Sequence, residues 1–598
     1  MSASPLFLRS AGLSDDWRPI DRLLHRWVRA HGGDEALARL AGAISAAESD
    51  GHSALSAADV ERYGARWPSE AQVAGWRQAG WLGERDEAAP FVLDAGQRLY
   101  LRRYARLEAG IAARLAAMVD VAAATPMTPD GDRRDGRAVD VDALFGSEDG
   151  DGRDAAQRAA VRRCDDARLF VLTGGPGTGK TTTVLRMLLA VLARAGTAPR
   201  IAVAAPTGKA AQRLVQSLRD GLDRLPEALH RHPHWGPALS RFALPEATTV
   251  HRLLGFHPHR RAFAHDARRP LDVDLLIVDE ASMLDLEMLA ALCAALPPQA
   301  ALWLVGDADQ LSPVGPGSAL QDLGQALDDR RGAPLQRLRH GFRAASAPAA
   351  LNAAVLAGDL DGLRDAFAAH PEALRWHTDG DAAALHRTLD AWADALIATR
   401  SHATLASLRE RQWLCALRQG PFGVDAINAR VDARLRAAAT RDGLAGPDGH
   451  YPGRRLLVTR NDRETDLFNG DVGLVMADDD GRLRAWFEGD SGPRAIALGA
   501  LPAHEPAFAL SVHKSQGSEY DEVTVLLPDD PANPILSREL LYTAASRARQ
   551  HLVLHGSEGA VAACLARPVR RSGGLHARLA EALSAPAPAD RPVPRTPR

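Results

Sequence analysis

One segment constrains the fold of this chain more than any other: an apolar run that leads into a glycine-rich turn and then into a helical pattern. The run LFVLTG (169–174) is typical of a buried strand, and VLRMLLAVLARA (184–195) of a helix. Between them, residues 174–181 spell G-x-x-x-x-G-K-T, the signature of a phosphate-binding loop. Glycines there let backbone N–H groups surround phosphates. The sequence therefore predicts a nucleoside triphosphate site in an α/β fold.

The residues of this loop have separate predicted tasks. Lys180 is expected to hold the β- and γ-phosphates of ATP, and Thr181 to coordinate Mg²⁺. The remaining nucleotide-binding candidates surround these two: Thr173, Gly174, Gly175, Pro176, Gly177, Thr178, Gly179 and Thr182. The predicted cofactors are therefore ATP and Mg²⁺.

A second signal lies downstream, where the apolar run LLIV ends in Asp279-Glu280. An acidic pair after a strand can be nothing more than a helix N-terminus favoured by the helix dipole. After a phosphate loop, however, it has a chemical reading: Asp279 would bind Mg²⁺, and Glu280 would polarise the attacking water as general base. Together the two motifs predict an NTPase.

The chain alternates between helical and strand-rich regions. Four apolar runs separated by helical stretches predict a parallel sheet with crossover helices. The predicted divisions are a helical N-terminal domain (1–118), a linker rich in Gly, Asp and Pro (119–155), a first α/β domain (156–345), a second (346–560) with a small β-barrel insertion (452–505), and a C-terminal helix with a Pro-rich, disordered tail (561–598).

Charge reveals no partner directly, because the formal net charge is only −3. A nucleic-acid site must then be a local groove. Lysine usage is more informative: the chain has three lysines, Lys180, Lys209 and Lys514, among 72 basic residues. A coding bias toward arginine explains most of this, and the three survivors are predicted to mark sites where a guanidinium would not fit.

Compartment is predicted from the cysteines and the absence of apolar spans. The four cysteines are far apart and have no C-x-x-C spacing, which argues against disulfides and zinc or iron–sulfur sites. No apolar run is long enough to cross a bilayer, and the first ten residues do not resemble a secretory signal. We therefore expect a cytoplasmic protein.

Six segments identify the kind of NTPase. They occur in the order of the superfamily 1 helicase motifs: AAPTGKAAQRL (204–214), TTVHRLLG (248–255), LLIVDEASMLD (275–285), LVGDADQLSPVGPG (304–317), VHKSQGSEYD (512–521) and LLYTAASRAR (540–549). The chain resembles the branch that moves 5′ to 3′, and WLCALRQGPFGVDAIN (413–428) is similar to the RecD family, the alpha subunits of exodeoxyribonuclease V. The resemblance implies two RecA-like motor domains and an SH3-like insertion.

The resemblance also implies roles around the nucleotide. Gln157 would read adenine, although a glutamine near a linker can also be a solvated side chain. Gln310 would sense the γ-phosphate, and Arg547 would be an arginine finger from the second motor. Arg343 occupies the place of a second γ-phosphate arginine, but the spelling RHGFR departs from the family pattern, so Arg339 remains an alternative.

DNA contacts are expected from both motors. Thr207 and Lys209 follow a predicted strand in a small-residue turn, a natural place for a phosphate contact. The other DNA-binding candidates come from the later motifs: His251, His513, Lys514, Ser515 and Gln516. Such contacts are made to the phosphate backbone of the DNA, so DNA binding should be salt-sensitive and largely independent of the DNA sequence.

The basic stretch 257–270 has two readings: a hairpin that meets the duplex fork, or a solvated arginine loop. The resemblance implies single-stranded DNA and duplex ends as partners, together with RecB-like and RecC-like subunits acting in break repair and recombination. The sequence shows no nuclease constellation, so exonuclease activity would reside in a partner. Two alternatives stay open: a stand-alone helicase of the same branch, and an ATP-dependent DNA-binding switch without unwinding.

Overall fold

The computed structural model describes residues 16–84, 88–120, 140–145, 154–164, 168–195, 198–257, 259–328, 330, 332–339, 346–378, 382–446, 449–462, 464–489 and 492–584. Most of the predicted 119–155 linker and the tail from residue 585 lie outside these ranges. No helix in the ranges has the length and apolar character needed to cross a bilayer.

The N-terminal region contains a small sheet in addition to the predicted helices. The prediction of a helical N-terminal domain missed these strands, because they span only two to four residues, too few to show a period of two. The sheet order is β1-β4-β3-β2. The elements are α1 (Pro19–Ala30), α2 (Glu35–Ser49), β1 (Leu55–Ser56), α3 (Glu70–Gln78), β2 (Leu82–Gly83), β3 (Phe91–Leu93), β4 (Arg98–Leu101) and α4 (Arg102–Asp120).

The next region is built on six parallel strands in the order β12-β5-β11-β10-β6-β7, as the alternating pattern predicted. Its central strands are buried on both faces, which explains their continuous apolar sequences. The elements are α5 (Ala155–Arg163), β5 (Leu169–Gly174), α6 (Lys180–Arg194), β6 (Ile201–Ala205), α7 (Gly208–Asp223), α8 (Glu227–His230), α9 (Trp235–Arg241), β7 (Ala247–Thr249), α10 (Val250–Leu253), β8 (Phe256–His257), β9 (Ala262–Phe263), β10 (Leu275–Val278), α11 (Leu286–Ala295), β11 (Ala301–Gly306), α12 (Ala319–Asp328) and β12 (Leu335–Leu338).

A second parallel sheet, of five strands in the order β13-β22-β21-β14-β20, follows. Its two faces carry separate apolar cores, as expected for a sheet covered by helices on both sides. The elements before the insertion are α13 (Ala347–Ala357), α14 (Leu360–Ala369), β13 (Leu374–His377), α15 (Ala382–Thr399), β14 (Arg411–Cys415) and α16 (Val424–Arg441).

The predicted insertion is a five-stranded antiparallel sheet in the order β18-β17-β16-β15-β19, with its own small core. Its strands are β15 (Arg455–Val458), β16 (Val472–Ala477), β17 (Leu483–Phe487), β18 (Arg494–Ala497) and β19 (His504–Pro506). Across the described residues, no pairing joins β18 to β19, so the structure gives a sheet here and the closed barrel stays a prediction. The chain then completes the parallel sheet through β20 (Ala509–Ser511), β21 (Tyr520–Leu526), α17 (Arg538–Ala545), β22 (Ala548–His555) and α18 (Glu558–Ala566).

The last helix, α19 (Leu575–Ser584), returns to the start of the molecule and packs against α4 and α12. The buried carboxylate of Glu108 accepts hydrogen bonds from Ser53 Oγ (2.6 Å), Gly574 N (3.1 Å) and Arg578 Nε (3.2 Å). Removing one member of a buried ion pair costs about 3–5 kcal/mol, because the other charge is left unpaired. The N-terminal region is therefore held to the last helix by buried hydrogen bonds and an ion pair.

Candidate active site and DNA-binding cleft

The phosphate loop connects β5 to α6, as predicted. Gly177 (φ +72°) and Gly179 (φ +80°) adopt left-handed backbone conformations that most side chains disfavour. A Cβ at Gly174 would lie 2.7 Å from the carbonyl oxygen of Leu338, so only glycine fits there. Thr181 lies in the first turn of α6, at the positive end of the helix dipole.

Lys180 extends along this loop. Its Nζ donates to the carbonyl oxygens of Gly174 (2.6 Å) and Gly175 (3.0 Å). A Cβ at Gly175 would lie 2.9 Å from the hydroxyl of Tyr542, a residue of α17 in the second α/β region. The phosphate loop therefore forms one wall of a cleft whose other wall comes from α17.

Gln157 is buried beneath the loop. Its Nε2 donates to the carbonyl oxygen of Thr178 (3.1 Å), and its Oε1 accepts from Arg186 Nη1 (3.0 Å). The guanidinium of Arg186 packs on the ring of Phe145 at 4.0 Å. In this structure the amide supports the phosphate loop, and its predicted contact with adenine stays a prediction.

Asp279 and Glu280 follow β10 at the same edge of the sheet. Desolvation and the negative charge of Glu280 together raise the pKa of Asp279 to about 7, against the opposing positive charge of Lys180. A carboxylate that loses hydration in this way gains from a divalent cation, so Asp279 and Thr181 fit the predicted Mg²⁺. Glu280 has φ +50°, a strained conformation that places its carboxylate within reach of Gly517.

Gln310 lies in a hydrogen-bonded contact between the two α/β regions. Its Nε2 and the Tyr542 hydroxyl both donate to Oδ2 of Asp307 at 3.0 Å. The next residue, Leu311, donates its backbone N–H to Thr543 Oγ1 (2.8 Å). Gln310 Oε1 is buried and has no hydrogen-bond partner among the described residues, so it is available to accept a hydrogen bond from a water or ligand.

Arg547 follows α17 and is almost fully buried. Among the described residues, its guanidinium donates to neutral oxygens: the carbonyls of Thr543 (3.1 Å) and Ser518 (3.2 Å) and the hydroxyl of Ser546 (3.0 Å from Nη2). A buried cation that has no acidic partner within this described part of the chain suits an incoming phosphate. Arg343 lies outside the described residues, and Arg339 is exposed just after β12, so the choice between them stays open.

Thr207 and Lys209 begin α7, where Thr207 Oγ1 accepts the cap hydrogen bond from Ala210 N (3.3 Å). The loop that joins β15 to β16 packs over them: a Cβ at Gly208 would lie 3.3 Å from the Phe468 ring. Burial raises the pKa of Asp471 in that loop, and the charge of Lys209 opposes the rise. The predicted DNA-binding turn therefore faces the inserted sheet.

The motif at 513–516 divides into surface and interior residues. Lys514 Nζ pairs with Glu505 Oε1 (3.0 Å), and Gln516 Nε2 donates to the Leu311 carbonyl (3.3 Å). Ser515 is fully buried and donates to the carbonyl of Val512 (2.7 Å). The Ser515 hydroxyl therefore holds the turn in this structure, and its predicted DNA contact stays a prediction.

The stretch 257–270 starts in a hairpin, in which β8 pairs antiparallel with β9. The His251 ring packs edge-on against Phe256 (5.4 Å between centroids) and tilted against Phe263 (6.2 Å). Burial lowers the pKa of His251 and of His513. The structure thus contains the hairpin that one interpretation of the sequence predicted, while its contact with a DNA fork stays a prediction.

Sequence reasoning missed the residues that join the two regions. Asp307 and Tyr542 both lie inside recognised motifs, but spacing along a chain cannot pair residues so far apart. Arg213 of α7 was also missed; it donates to the Gly517 carbonyl (2.9 Å) and pairs with Glu519 (2.9 Å). These contacts show that the motifs of both regions meet at one cleft.

The chain is similar to two protein families and to solved helicase structures. Residues 157–316 match the AAA domain family, and residues 506–555 match the UvrD-like helicase C-terminal domain. A solved structure of Bacteroides Pif1 bound to ssDNA aligns with 17% identity and a TM-score of 0.35, over 68% of this chain and 91% of that one.

Whole-chain relatives are more similar. The RecBCD enzyme subunit RecD of Mycobacterium tuberculosis is 39% identical, over 86% of this chain and 87% of its own length, and that of Mycolicibacterium smegmatis is 38% identical, over 88% and 89%. The ATP-dependent RecD2 DNA helicase of Deinococcus radiodurans is 32% identical, over 83% of this chain and 61% of its own length. On this similarity and the shared order of motifs, the chain belongs to the RecD family.

Proposed function

We propose that this chain is an ATP-dependent DNA helicase that moves 5′ to 3′ and acts as the alpha-type subunit of a RecBCD-like complex in DNA break repair. The proposal rests on one observation: the phosphate loop lies against Tyr542 of the second α/β region, and Glu280 and Arg547 both lie beside the turn at Gly517 and Ser518. Nucleotide-site candidates from both parallel sheets therefore border one cleft. Such a cleft can close on ATP and open after hydrolysis, and that motion is what a translocating motor requires.

The roles in hydrolysis follow from position. Lys180 binds the terminal phosphates, and Glu280 orients and polarises the attacking water. Mg²⁺, held by Thr181 and Asp279, would neutralise charge on the phosphates. Arg547 stabilises the charge that develops as the phosphoryl group leaves. Gln310 responds to the loss of the γ-phosphate, and its hydrogen bond to Asp307, which also binds Tyr542, transmits the change to the second α/β region.

Movement along DNA uses the surface above this cleft. Thr207, Lys209 and Lys514 hold the phosphate backbone, while His251 offers a ring for a base to stack on. The β8–β9 hairpin meets the fork and separates the strands. These contacts do not read base edges, so the motor works on any sequence and releases DNA as salt rises.

Architecture supports the same assignment. The two parallel sheets act as RecA-like motor domains, approximately 156–345 and 346–560, and the five-stranded antiparallel sheet acts as the SH3-like insertion. The N-terminal domain, approximately 1–118, binds the RecB-like and RecC-like subunits. Helix α1 presents a row of exposed apolar side chains for that purpose: Ile20 (53% exposed), Leu23 (54%) and Trp27 (39%).

Polarity is the direct test of the helicase branch. We expect the protein, with its partners, to unwind a duplex with a 5′ single-stranded tail and to leave a 3′-tailed duplex intact. The measurement is strand displacement followed by a fluorescent label, with Lys180→Gln protein as the motor-dead control. Preferential unwinding from the 3′ tail would overturn the assignment, and DNA-stimulated ATP hydrolysis without displacement would favour the switch alternative.

The partner surface makes a separate prediction. Leu23→Asp places a charge in the exposed row of α1, so we expect co-purification with the partner subunits to fall by at least about tenfold. The thermal midpoint of the isolated chain should change little, because the Leu23 side chain is already more than half exposed. Leu444→Asp, which alters a leucine of the second α/β region that is 42% exposed, is the control. If the Leu23 variant assembles as well as the unmodified protein, the interface with the partner subunits does not include this row of α1.

A further inference from the structure

A short segment near the C-terminus joins all three parts of the molecule. We call residues 569–574 the strap. Its first residue, Val569, donates its N–H to Glu539 Oε2 (2.8 Å) in the second α/β region. Ser572 then donates its N–H to His52 Nδ1 (2.8 Å) and its hydroxyl to Asp59 Oδ2 (2.7 Å) in the N-terminal domain. The strap is thus held at both ends by groups of different domains.

Arg571, in the middle of the strap, reaches the first α/β region. Residues 312–318 form a turn directly after Gln310 and Leu311, which we call the proline loop. Nη1 of Arg571 donates to the carbonyls of Gly315 (2.6 Å) and Gly317 (2.8 Å), and Nη2 donates to that of Pro313 (2.5 Å). One guanidinium therefore binds three carbonyls of a single loop through two separate nitrogens, and the single nitrogen of an ammonium cannot occupy both positions.

The N-terminal domain completes this arrangement. The carbonyl of Gly51 accepts a hydrogen bond from Gly317 N (2.9 Å). A Cβ at Gly51 would lie 2.5 Å from Cζ of Arg571, so the guanidinium passes directly over a backbone that has no side chain. Arg571 also lies near His513, whose pKa it lowers together with burial. The proline loop is therefore fixed from the strap and from the N-terminal domain at once.

The position of the proline loop matters because of what precedes it. Gln310 shares Asp307 with Tyr542, and Leu311 contacts both Thr543 and Gln516 across the cleft. We propose that Arg571 is a positioning residue: by fixing the proline loop, it sets the placement of Gln310 and Leu311 and so couples ATP hydrolysis to DNA. This inference rests on the proposed helicase function and adds to it a residue outside the helicase motifs.

The first test compares three variants in the assembled protein. In Arg571→Gln, we expect the ratio of DNA-stimulated to DNA-free ATP turnover to fall by about fivefold or more, the scale of a typical coupling free energy. Arg571→Lys keeps the charge and should recover only part of this ratio, because its single nitrogen cannot occupy both of the positions from which Nη1 and Nη2 donate. Arg570→Gln, which alters the exposed neighbouring arginine, should match the unmodified protein.

The second test leaves Arg571 in place. Gly51 (φ +86°) and Gly32 (φ +92°) have equally strained backbones in the same domain, but a Cβ at Gly32 would meet nothing within 4 Å. Both Gly51→Ala and Gly32→Ala should lose stability through backbone strain, and Gly51→Ala should lose more because it also disturbs the hydrogen bonds of Arg571; thermal melting measures both. Only Gly51→Ala displaces the guanidinium, so only this variant should reproduce the uncoupling of Arg571→Gln.

The outcomes separate this inference from the proposed function. If unmodified protein shows DNA-stimulated ATP turnover but both Arg571→Gln and Gly51→Ala retain its full ratio, Arg571 has no positioning role and the helicase assignment stands. If the two glycine variants lose coupling equally, the effect comes from loss of fold and the inference is overturned. If unmodified protein shows no DNA-stimulated turnover, the proposed function itself has failed.

Discussion

Replacing Lys180 by glutamine is expected to lower ATP turnover by at least about 100-fold, the cost of removing a charged group from the transition state of phosphoryl transfer. Glutamine has no charge to offer the terminal phosphates. The fold should survive, because Lys180 lies in a partly open loop and its two hydrogen bonds go to backbone carbonyls. Phosphate release with and without single-stranded DNA measures the loss.

The matched control for this prediction lies on the same helix. Arg194→Gln removes one positive charge from the exposed last turn of α6, far from the phosphate loop, and should leave turnover unchanged. The two proteins should melt at similar temperatures. Full ATP turnover by Lys180→Gln, in a preparation free of other ATPases, would contradict the assignment of the phosphate loop as the catalytic site.

The sequence was most informative where local structure and chemistry coincide. A phosphate loop requires a strand before it and a helix after it, and β5 and α6 occupy those positions. Thr207 likewise caps α7 from within a motif. In such segments the residues that carry the chemistry also set the backbone, so one pattern predicts both.

Residues whose role depends on distant partners were less predictable. Ser515 lies among polar motif residues, yet its hydroxyl is turned inward to Val512. Gln157 stands near a linker but is buried under the phosphate loop. Arg571 lies in a stretch with no motif at all, and its three acceptors are some 250 residues away along the chain. Long-range packing decides each case, and a linear pattern does not encode it.

The N-terminal sheet was missed for a different reason. Its strands β1 to β4 are too short for an alternating pattern, and the flanking helices dominate the apolar signal. The sheet nevertheless bears on function, because the adjacent turn at Gly51 and His52 holds the strap and the proline loop. The N-terminal domain was predicted only to bind partners, but it also contacts the proline loop of the first α/β region and the strap.

Replacing Arg547 by alanine is expected to lower ATP turnover by about a thousandfold, the scale on which an arginine finger acts. ATP binding should fall far less, because Lys180 and the rest of the phosphate loop remain. Loss of the buried hydrogen bonds to Thr543, Ser518 and Ser546 should also reduce the free energy of unfolding by about 1–3 kcal/mol. Turnover, nucleotide affinity and thermal melting are measured on the same preparation.

Arg549→Ala is the control, since Arg549 lies two residues away, is partly exposed and pairs with the carboxylate of Glu519 (3.0 Å), whereas the Arg547 guanidinium donates to neutral oxygens. It should keep most of the turnover. Arg547→Lys separates the two roles of the finger: it retains a charge but not the fork of donors, so turnover should recover in part while melting stays low. If Arg547→Ala lowers nucleotide affinity and turnover by the same factor, the residue supports the fold of the cleft and does not act on the departing phosphate.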